Sequence, residues 1–340
     1  MTQKRIPIII GVIVGIVLLC ACGVGIAYMA WNTPLGPALN ANPEVVFPTA
    51  EVVENLLPVG VTPLPPPAST QESGETVTNC GQSGSLNYLV MGVDAPIGVG
   101  PQGPLAIRII KVDFSRKTAT LFSFPRDLWL PVAGLESYGI TQARLGEAYL
   151  IGINNAGFST AAATNLVAQA LLANFGATSN HYITAKLSTL AAAIDAAGGI
   201  TVNIPMAYDG TPFGFHYFAA GPYFMTGALA MEYALAPSPL EQWSGLDRQT
   251  QVLMALLQKA LSSEIIPKIP SLAQQFLQVV TTDLSMQQIS DLICISQQIP
   301  LTSIIVNGVG PTNVSYGAGD ILYPDMDAIR TKIKQSIGSE

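Results

Sequence analysis

From residue 86 onward, apolar and polar positions alternate in short, regular bursts. The run Leu86-Asn87-Tyr88-Leu89-Val90-Met91-Gly92-Val93-Asp94 predicts a strand closed by Gly and Asp. Residues 105–114 predict a second strand, interrupted by Arg108 and Lys111, and residues 118–124 a third. The short link Ser115-Arg116-Lys117 makes the last two a hairpin. Residues 144–151 predict a short helix or turn. Residues 160–175 have helical spacing and stop at Gly176, a common helix terminator. A strand at 181–187, a helix at 188–197 closed by Gly198-Gly199, and a strand at 200–204 follow. A loop around Gly221 leads to Thr226, an N-cap for a helix over 227–235 that Pro237 and Pro239 end. Residues 247–262 predict an amphipathic helix with Val252, Leu253, Leu256, Leu257 and Leu261 on one face. The tail predicts helices at about 266–280 and 286–298, a strand at 303–309 and a last helix from Pro324. This alternation indicates one α/β domain with a mixed sheet, and no internal repeat is visible.

Upstream the pattern changes. Residues 6–31 carry no charge and follow Lys4 and Arg5. That run exceeds the roughly 20 residues needed to cross a bilayer. After Arg5 no Lys or Arg occurs until Arg108, while Glu44, Glu51, Glu54, Glu72 and Glu75 lie between. Positive charge on one flank only puts the N-terminus in the cytoplasm and the remainder outside. Tyr28 and Trp31 suit the outer aromatic belt. A cleaved signal peptide would have a shorter apolar run, and Leu19-Cys20-Ala21-Cys22 resembles a lipoprotein processing site with Cys22 lipidated. The run continues past Cys22 to Trp31, which favours an uncleaved single-pass anchor. Residues 32–84 are Pro-rich, including Pro63-Leu64-Pro65-Pro66-Pro67, and read as a semi-rigid linker holding the domain off the membrane. The expected organisation is therefore a cytoplasmic stub and anchor at 1–31, a linker at 32–84, and one extracytoplasmic domain at 85–340.

Composition sharpens this picture. Only 11% of the 340 residues are charged, against about 25% in typical soluble domains. The net charge of −7 argues against nucleic acid as a partner. Outside the apolar segment the cysteines are Cys80 and Cys294, which could pair in an oxidising compartment. His181 and His216 are isolated, and no cluster has metal-ligand spacing. The candidate chemistry lies at Pro125-Arg126-Asp127, directly after the third strand. Ligands bind beyond the carboxyl ends of strands in open α/β sheets, and Arg offers a planar fork for phosphate oxygens. The plain alternative is a surface ion pair closing a turn.

Taken together, the landmarks resemble the LytR–CpsA–Psr (LCP) family of bacterial cell-envelope proteins. Leu89-Val90-Met91-Gly92-Val93-Asp94 is similar to the family's opening strand, and Ser123-Phe124-Pro125-Arg126-Asp127 to its most specific motif. Arg144-Leu145-Gly146-Glu147-Ala148-Tyr149, Ala196-Ala197-Gly198-Gly199-Ile200-Thr201-Val202, Thr226-Gly227-Ala228-Leu229-Ala230 with Tyr233, and Arg248-Gln249 resemble later segments, in the family's order. The resemblance implies a three-layer α/β/α fold with a mixed central sheet and an apolar pocket for a polyprenyl chain, preceded by one transmembrane helix. It implies transfer of a glycopolymer from a polyprenyl-pyrophosphate carrier to an acceptor such as peptidoglycan, outside the cell membrane. It places Arg126, Asp127, Arg248 and Gln249 in catalytic positions, with Arg144 and Asp94 toward the substrate; Arg108, in mid-strand, either points into the same pocket and binds substrate or snorkels to solvent. A Mg²⁺ ion on Asp94 and Asp127 would help to neutralise the phosphates.

The chain also departs from the pattern. The family's Arg-Ser-Asp-Thr, whose Asp helps to hold the metal, aligns with Gly103, Pro104, Leu105 and Ala106. An Arg-x-Arg pair aligns with Leu235 and Pro237, and another Arg with Gly245. Asp94, Glu241 and Asp247 are the carboxylates available to replace the lost ligand. Two expectations follow. Either Arg108 supplements a reduced transferase site, or the chain binds a polyprenyl phosphate or envelope partner without chemistry.

Overall fold

A computed structural model describes residues 31–39, 80–93, 103–155, 157–236, 242–262, 264–265 and 280–338. Residues 6–30 of the expected anchor, most of the linker, Asp94, Glu241 and most of the 266–280 helix lie outside them. Among the described residues no helix is long and apolar enough to cross a membrane.

Strands β1 (Ser85–Val93), β2 (Ala106–Asp113) and β3 (Thr118–Phe124) form an antiparallel meander. Lys117 takes a left-handed φ of 55°, which lets the β2–β3 link turn tightly. Beyond β1 lie β6 (His181–Lys186), parallel to it, and the antiparallel edge strand β11 (Val280–Thr282). Beyond β3 lies β12 (Ile304–Gly308), parallel to it. The mixed six-stranded order is thus β11-β6-β1-β2-β3-β12. Val280, expected to end a helix, instead opens the edge strand Val280-Thr281-Thr282, whose β-branched residues suit a pleated edge.

Strand alternation divides the sheet into two apolar faces. Leu89, Met91, Ile107, Ile109, Phe122 and Phe124 point into the main core. They pack against Leu145 and Tyr149 of α1 (Leu145–Asn154), Val167, Leu171 and Phe175 of α2 (Thr160–Phe175), and Ile329 and Ile333 of α7 (Met326–Ser336). Each large side chain so buried contributes about 1.5–3 kcal/mol. The opposite face puts Tyr88 and Val112 under Ile295 of α6 (Met286–Ser296), with Val90, Ile110 and Ile183 only partly buried beside them. Helices thus cover both faces.

A second core joins α3 (Leu187–Ala196), β7 (Ile200–Ile204), β10 (Gly221–Met225), α4 (Gly227–Leu235) and α5 (Gln242–Ala260). Here the expected loop at Gly221 is a strand, antiparallel to β7. Met225 is buried while Phe224 faces outward, the alternation of a half-buried strand. Gly199 has a φ of +86°, and a Cβ there would sit 2.4 Å from the Phe224 ring, so only glycine fits beneath it. Thr226 caps α4 as expected, its Oγ1 accepting from Leu229 N at 3.4 Å. Short pairs β4 (Trp129–Pro131) with β5 (Gln142–Arg144), β8 (Tyr208–Asp209) with β9 (Tyr217–Phe218), and β13 (Val314–Tyr316) with β14 (Leu322–Pro324) complete the fold.

Cys80 and Cys294 form a disulfide with a Cα–Cα distance of 5.5 Å, tying the chain ahead of β1 to α6. Residues 32–39, expected to belong to the linker, lie against the domain instead.

Candidate functional site

The motif Pro125-Arg126-Asp127 leaves the carboxyl end of β3, where Pro125 has no N–H to extend the ladder. The chain is then fixed by its backbone: Gly146 N donates to Arg126 O at 2.8 Å, Leu145 N to Leu128 O at 2.8 Å, and Leu322 N to Asp127 O at 3.0 Å. These bonds bring α1 and the β13–β14 hairpin against the motif. Arg126, Asp127, Arg144, Gly146, Glu147 and Leu150 line a cavity of about 250 Å³. Arg126 Nε is 3.6 Å from Asp127 Oδ2, and Arg144 Nη1 is 3.3 Å from Glu147 Oε1. The other guanidinium arm, Arg144 Nη2, donates to Gly319 O in the hairpin. At this partial exposure such pairs are worth about 0–1 kcal/mol, so they position charge more than they stabilise the fold. Burial pushes the Asp127 carboxyl up; Arg126 and Arg144 pull it back, and Asp320 and Glu147 add to the rise.

Arg108 lies on a different wall. Its position in β2 pairs with Ser123 of β3 and Val90 of β1, on the sheet face that carries Ile110 and Ile183. The residue is 4% exposed. Its Nη2 approaches Gln249 Oε1 at 3.3 Å and Leu246 O at 3.5 Å, both neutral, while its Nε is buried without a hydrogen-bond partner. Burial pulls its pKa down to about 10. Gln249 Nε2 donates in turn to Leu105 O at 3.1 Å, tying α5 to the start of β2.

Arg248 is turned elsewhere. Its Nε donates to Tyr233 O at 2.7 Å and its Nη2 to Ala236 O, at the C-terminal end of α4. Its guanidinium carbon stands 4.3 Å above the Tyr208 ring. A cation at a helix C-terminus satisfies carbonyls that lack intrahelical partners. Burial lowers its pKa, partly offset by Tyr208, Tyr233 and Asp247.

The structure therefore brings together Arg126, Asp127 and Arg144, and separately Arg108 and Gln249. Arg248 is not among the residues lining the cavity. Leu105, in the family's metal-linked position, packs against the second core and supplies only backbone atoms here. Among the described residues no group of three or more His, Cys, Asp or Glu is placed to hold a metal ion, and Asp94 lies outside them. Sequence reasoning did not single out Glu147, Gly319 or Asp320 as parts of this region. Glu147 occupies a variable position of its motif, and the hairpin carrying the other two has strands of only three residues, too short for a periodic signal.

Comparison with known proteins matches this arrangement to one family. A polyisoprenyl-teichoic acid–peptidoglycan teichoic acid transferase, TagU of Oceanobacillus iheyensis, is 24% identical over 233 residues, covering 67% of this chain and 68% of its own. Among solved structures, B. subtilis TagV superposes with a TM-score of 0.58 at 20% identity, covering 75% of this chain and 97% of its own. A Streptococcus agalactiae protein, gbs0355, gives 0.59 at 16% identity, with coverage of 76% and 89%. TagT bound to LI-WTA gives 0.56 at 16% identity, with coverage of 77% and 93%. The profile of the LytR_cpsA_psr family matches residues 67–329, and the chain belongs to that family.

Proposed function

We propose that this chain transfers a glycopolymer from a polyprenyl-pyrophosphate carrier to a cell-envelope acceptor, outside a membrane to which residues 6–31 anchor it. The observation that carries the reading is Arg108, a buried guanidinium on an apolar sheet face with only neutral hydrogen-bond partners. A charge in that position costs several kcal/mol unless an anion compensates it. A lipid diphosphate supplies both halves of the match: negative oxygens for Arg108, and an isoprenoid chain for the surface beside Val90, Ile110 and Ile183. The O. iheyensis relative, named for transfer of teichoic acid from a polyisoprenyl carrier to peptidoglycan, supports the same substrate class.

In this reading an acceptor hydroxyl attacks the sugar-linked phosphorus and the phosphoanhydride P–O bond breaks. The polymer leaves on the acceptor oxygen, the polyprenyl monophosphate departs, and the hydroxyl proton is released. Arg126 and Arg144, at the mouth of the cavity, neutralise charge that grows as the bond breaks. Asp127 holds Arg126 in place, Gln249 holds Arg108, and Arg248 secures the end of α4. A Mg²⁺ ion would involve Asp94, and no step is assigned to it. The test is transfer of a labelled teichoic acid from its polyprenyl-pyrophosphate carrier to peptidoglycan by the purified full-length chain. Transfer that falls about 10²–10³-fold in Arg126→Ala supports the reading.

A second reading is favoured by Leu105 and Arg248: one family site position has lost its carboxylate, and the cation of the Arg248-Gln249 motif is turned to a helix end. In that reading the chain holds the lipid without turning it over. Retained lipid with no transfer would select it.

A further inference from the structure

Residues 31–39 are fastened to the domain. Leu35 N donates to Leu284 O at 3.1 Å, Pro34 bridges to Ser285, and Trp31 Nε1 donates to Gln287 Oε1 at 2.7 Å. Gly36 fits so closely that a Cβ there would lie 2.6 Å from Thr282 O and 3.1 Å from Tyr182 Oη. Leu39 packs onto the main core. The chain is fastened again at Cys80, which is bonded to Cys294 of α6. The described chain on both sides of residues 40–79 is therefore fastened to the domain.

We propose that residues 31–39 are a clamp that seats the domain directly on the bilayer, with the corner made by β11 and the start of α6 as its lipid-facing surface. The inference rests on the anchor reading of residues 6–31. That apolar run ends at Trp31, the first described residue, whose indole is bonded to Gln287 of the domain. The chemistry of the corner suits a lipid surface. Between Asp283 and Asp320 the sequence carries a single charge, Asp291, which is 5% exposed, and Asp283 itself is 4% exposed. Approach of the start of α6 to the headgroups then desolvates no charged side chain of residues 284–319. Trp31 and Leu35 are 44% and 50% exposed, an indole and an aliphatic chain of the kind that settles at the interface.

Tyr182 and Thr282, which the clamp touches, stand level with Phe122 and Ser123 of β3 through the paired strands between them, and Arg126 lies beyond the end of β3.

The test uses the full-length chain in phosphatidylethanolamine/phosphatidylglycerol vesicles containing an acceptor-labelled lipid. A donor fluorophore is placed through an introduced keto amino acid at Ser290, exposed on α6, or at Tyr138, exposed between β4 and β5. Energy transfer is expected to be clearly stronger from 290 than from 138. Gly36→Leu, which cannot seat beside Thr282 O, should lower the value at 290 toward that at 138 while the chain stays with the vesicles. Equal or weaker transfer from 290 in vesicle-bound wild type would overturn the proposal. A chain that fails to float with the vesicles would overturn the anchor reading beneath it, a result separable from the first by flotation alone.

Discussion

Arg108 and Gln249 meet across the space between β2 and α5: Arg108 Nη2 lies 3.3 Å from Gln249 Oε1, and Gln249 Nε2 donates to Leu105 O at 3.1 Å. The amide spends one end on the backbone carbonyl just ahead of β2 and the other on the cation within it. Neither contact neutralises the charge, so the pair orients the guanidinium without compensating it. Such a group is poised for an anion and is costly in the empty protein.

Replacing Arg108 by Met should therefore act in two directions. The unliganded variant is expected to gain about 1–4 kcal/mol in urea unfolding near pH 7, because an uncompensated buried cation is exchanged for a packed side chain. The gain should narrow as pH rises through about 10. Arg108's folded-state pKa lies below its unfolded value, so above that pH the unfolded state binds more protons and the wild type regains stability. A variant less stable than wild type would contradict the view of Arg108 as uncompensated.

Arg126 and Arg248 should separate activity from stability. Arg126→Ala removes a partly exposed ion pair, so its unfolding free energy should move by less than about 1 kcal/mol while transfer collapses. Arg248→Ala strips the partners from Tyr233 O and Ala236 O and empties the space over Tyr208. A loss of about 3 kcal/mol is expected from the charged hydrogen bonds and the ring contact, or roughly 6–12 °C in Tm. Thermal unfolding of both variants beside a transfer assay distinguishes the two roles.

Much of the fold was legible because its elements are long and well punctuated. Residues 118–124 and 200–204 are the strands their apolar runs predict, and 160–175 is the helix its spacing and Gly176 predict. The 247–262 helix begins earlier, at Gln242, since its first turn lacks the apolar face that marked the remainder. What could not be read were β10, expected as a loop, and the two- and three-residue strands, whose register depends on partners distant in sequence. The site divides in the same way. Arg126 and Asp127 stand out by position at a strand end. That Arg248 turns to α4 is set by tertiary packing, since adjacent residues on a helix face directions about 100° apart, and only the partners decide which direction meets the substrate.

The Cys80–Cys294 bond should contribute strongly to stability. It closes a loop across a sequence separation of 214 residues, and a chain-entropy estimate for a loop of that size is about 5 kcal/mol. Cys80→Ser is expected to cost roughly 2–5 kcal/mol in urea unfolding. The same change should leave the Arg126 cavity, which Cys80 does not line, competent for substrate.

Ion pairing in the cavity should be visible in the pH dependence of transfer. Because burial raises the Asp127 carboxyl, its charged form is reached at a higher pH than for an ordinary aspartate. Transfer that needs Asp127 ionised to hold Arg126 should then rise across that shifted window, and Asp127→Asn should flatten the rise. The pH–rate profiles of the two proteins, compared at saturating carrier, provide the check.

The most direct measurement is the thermal shift of the purified chain with a polyprenyl pyrophosphate and with the matching polyprenol in the same detergent. Wild type should be stabilised by the pyrophosphate and much less by the alcohol, and Arg108→Met should lose the difference between them. Equal shifts from both lipids, or an undiminished pyrophosphate effect in Arg108→Met, would contradict the central claim that Arg108 awaits the carrier's phosphates.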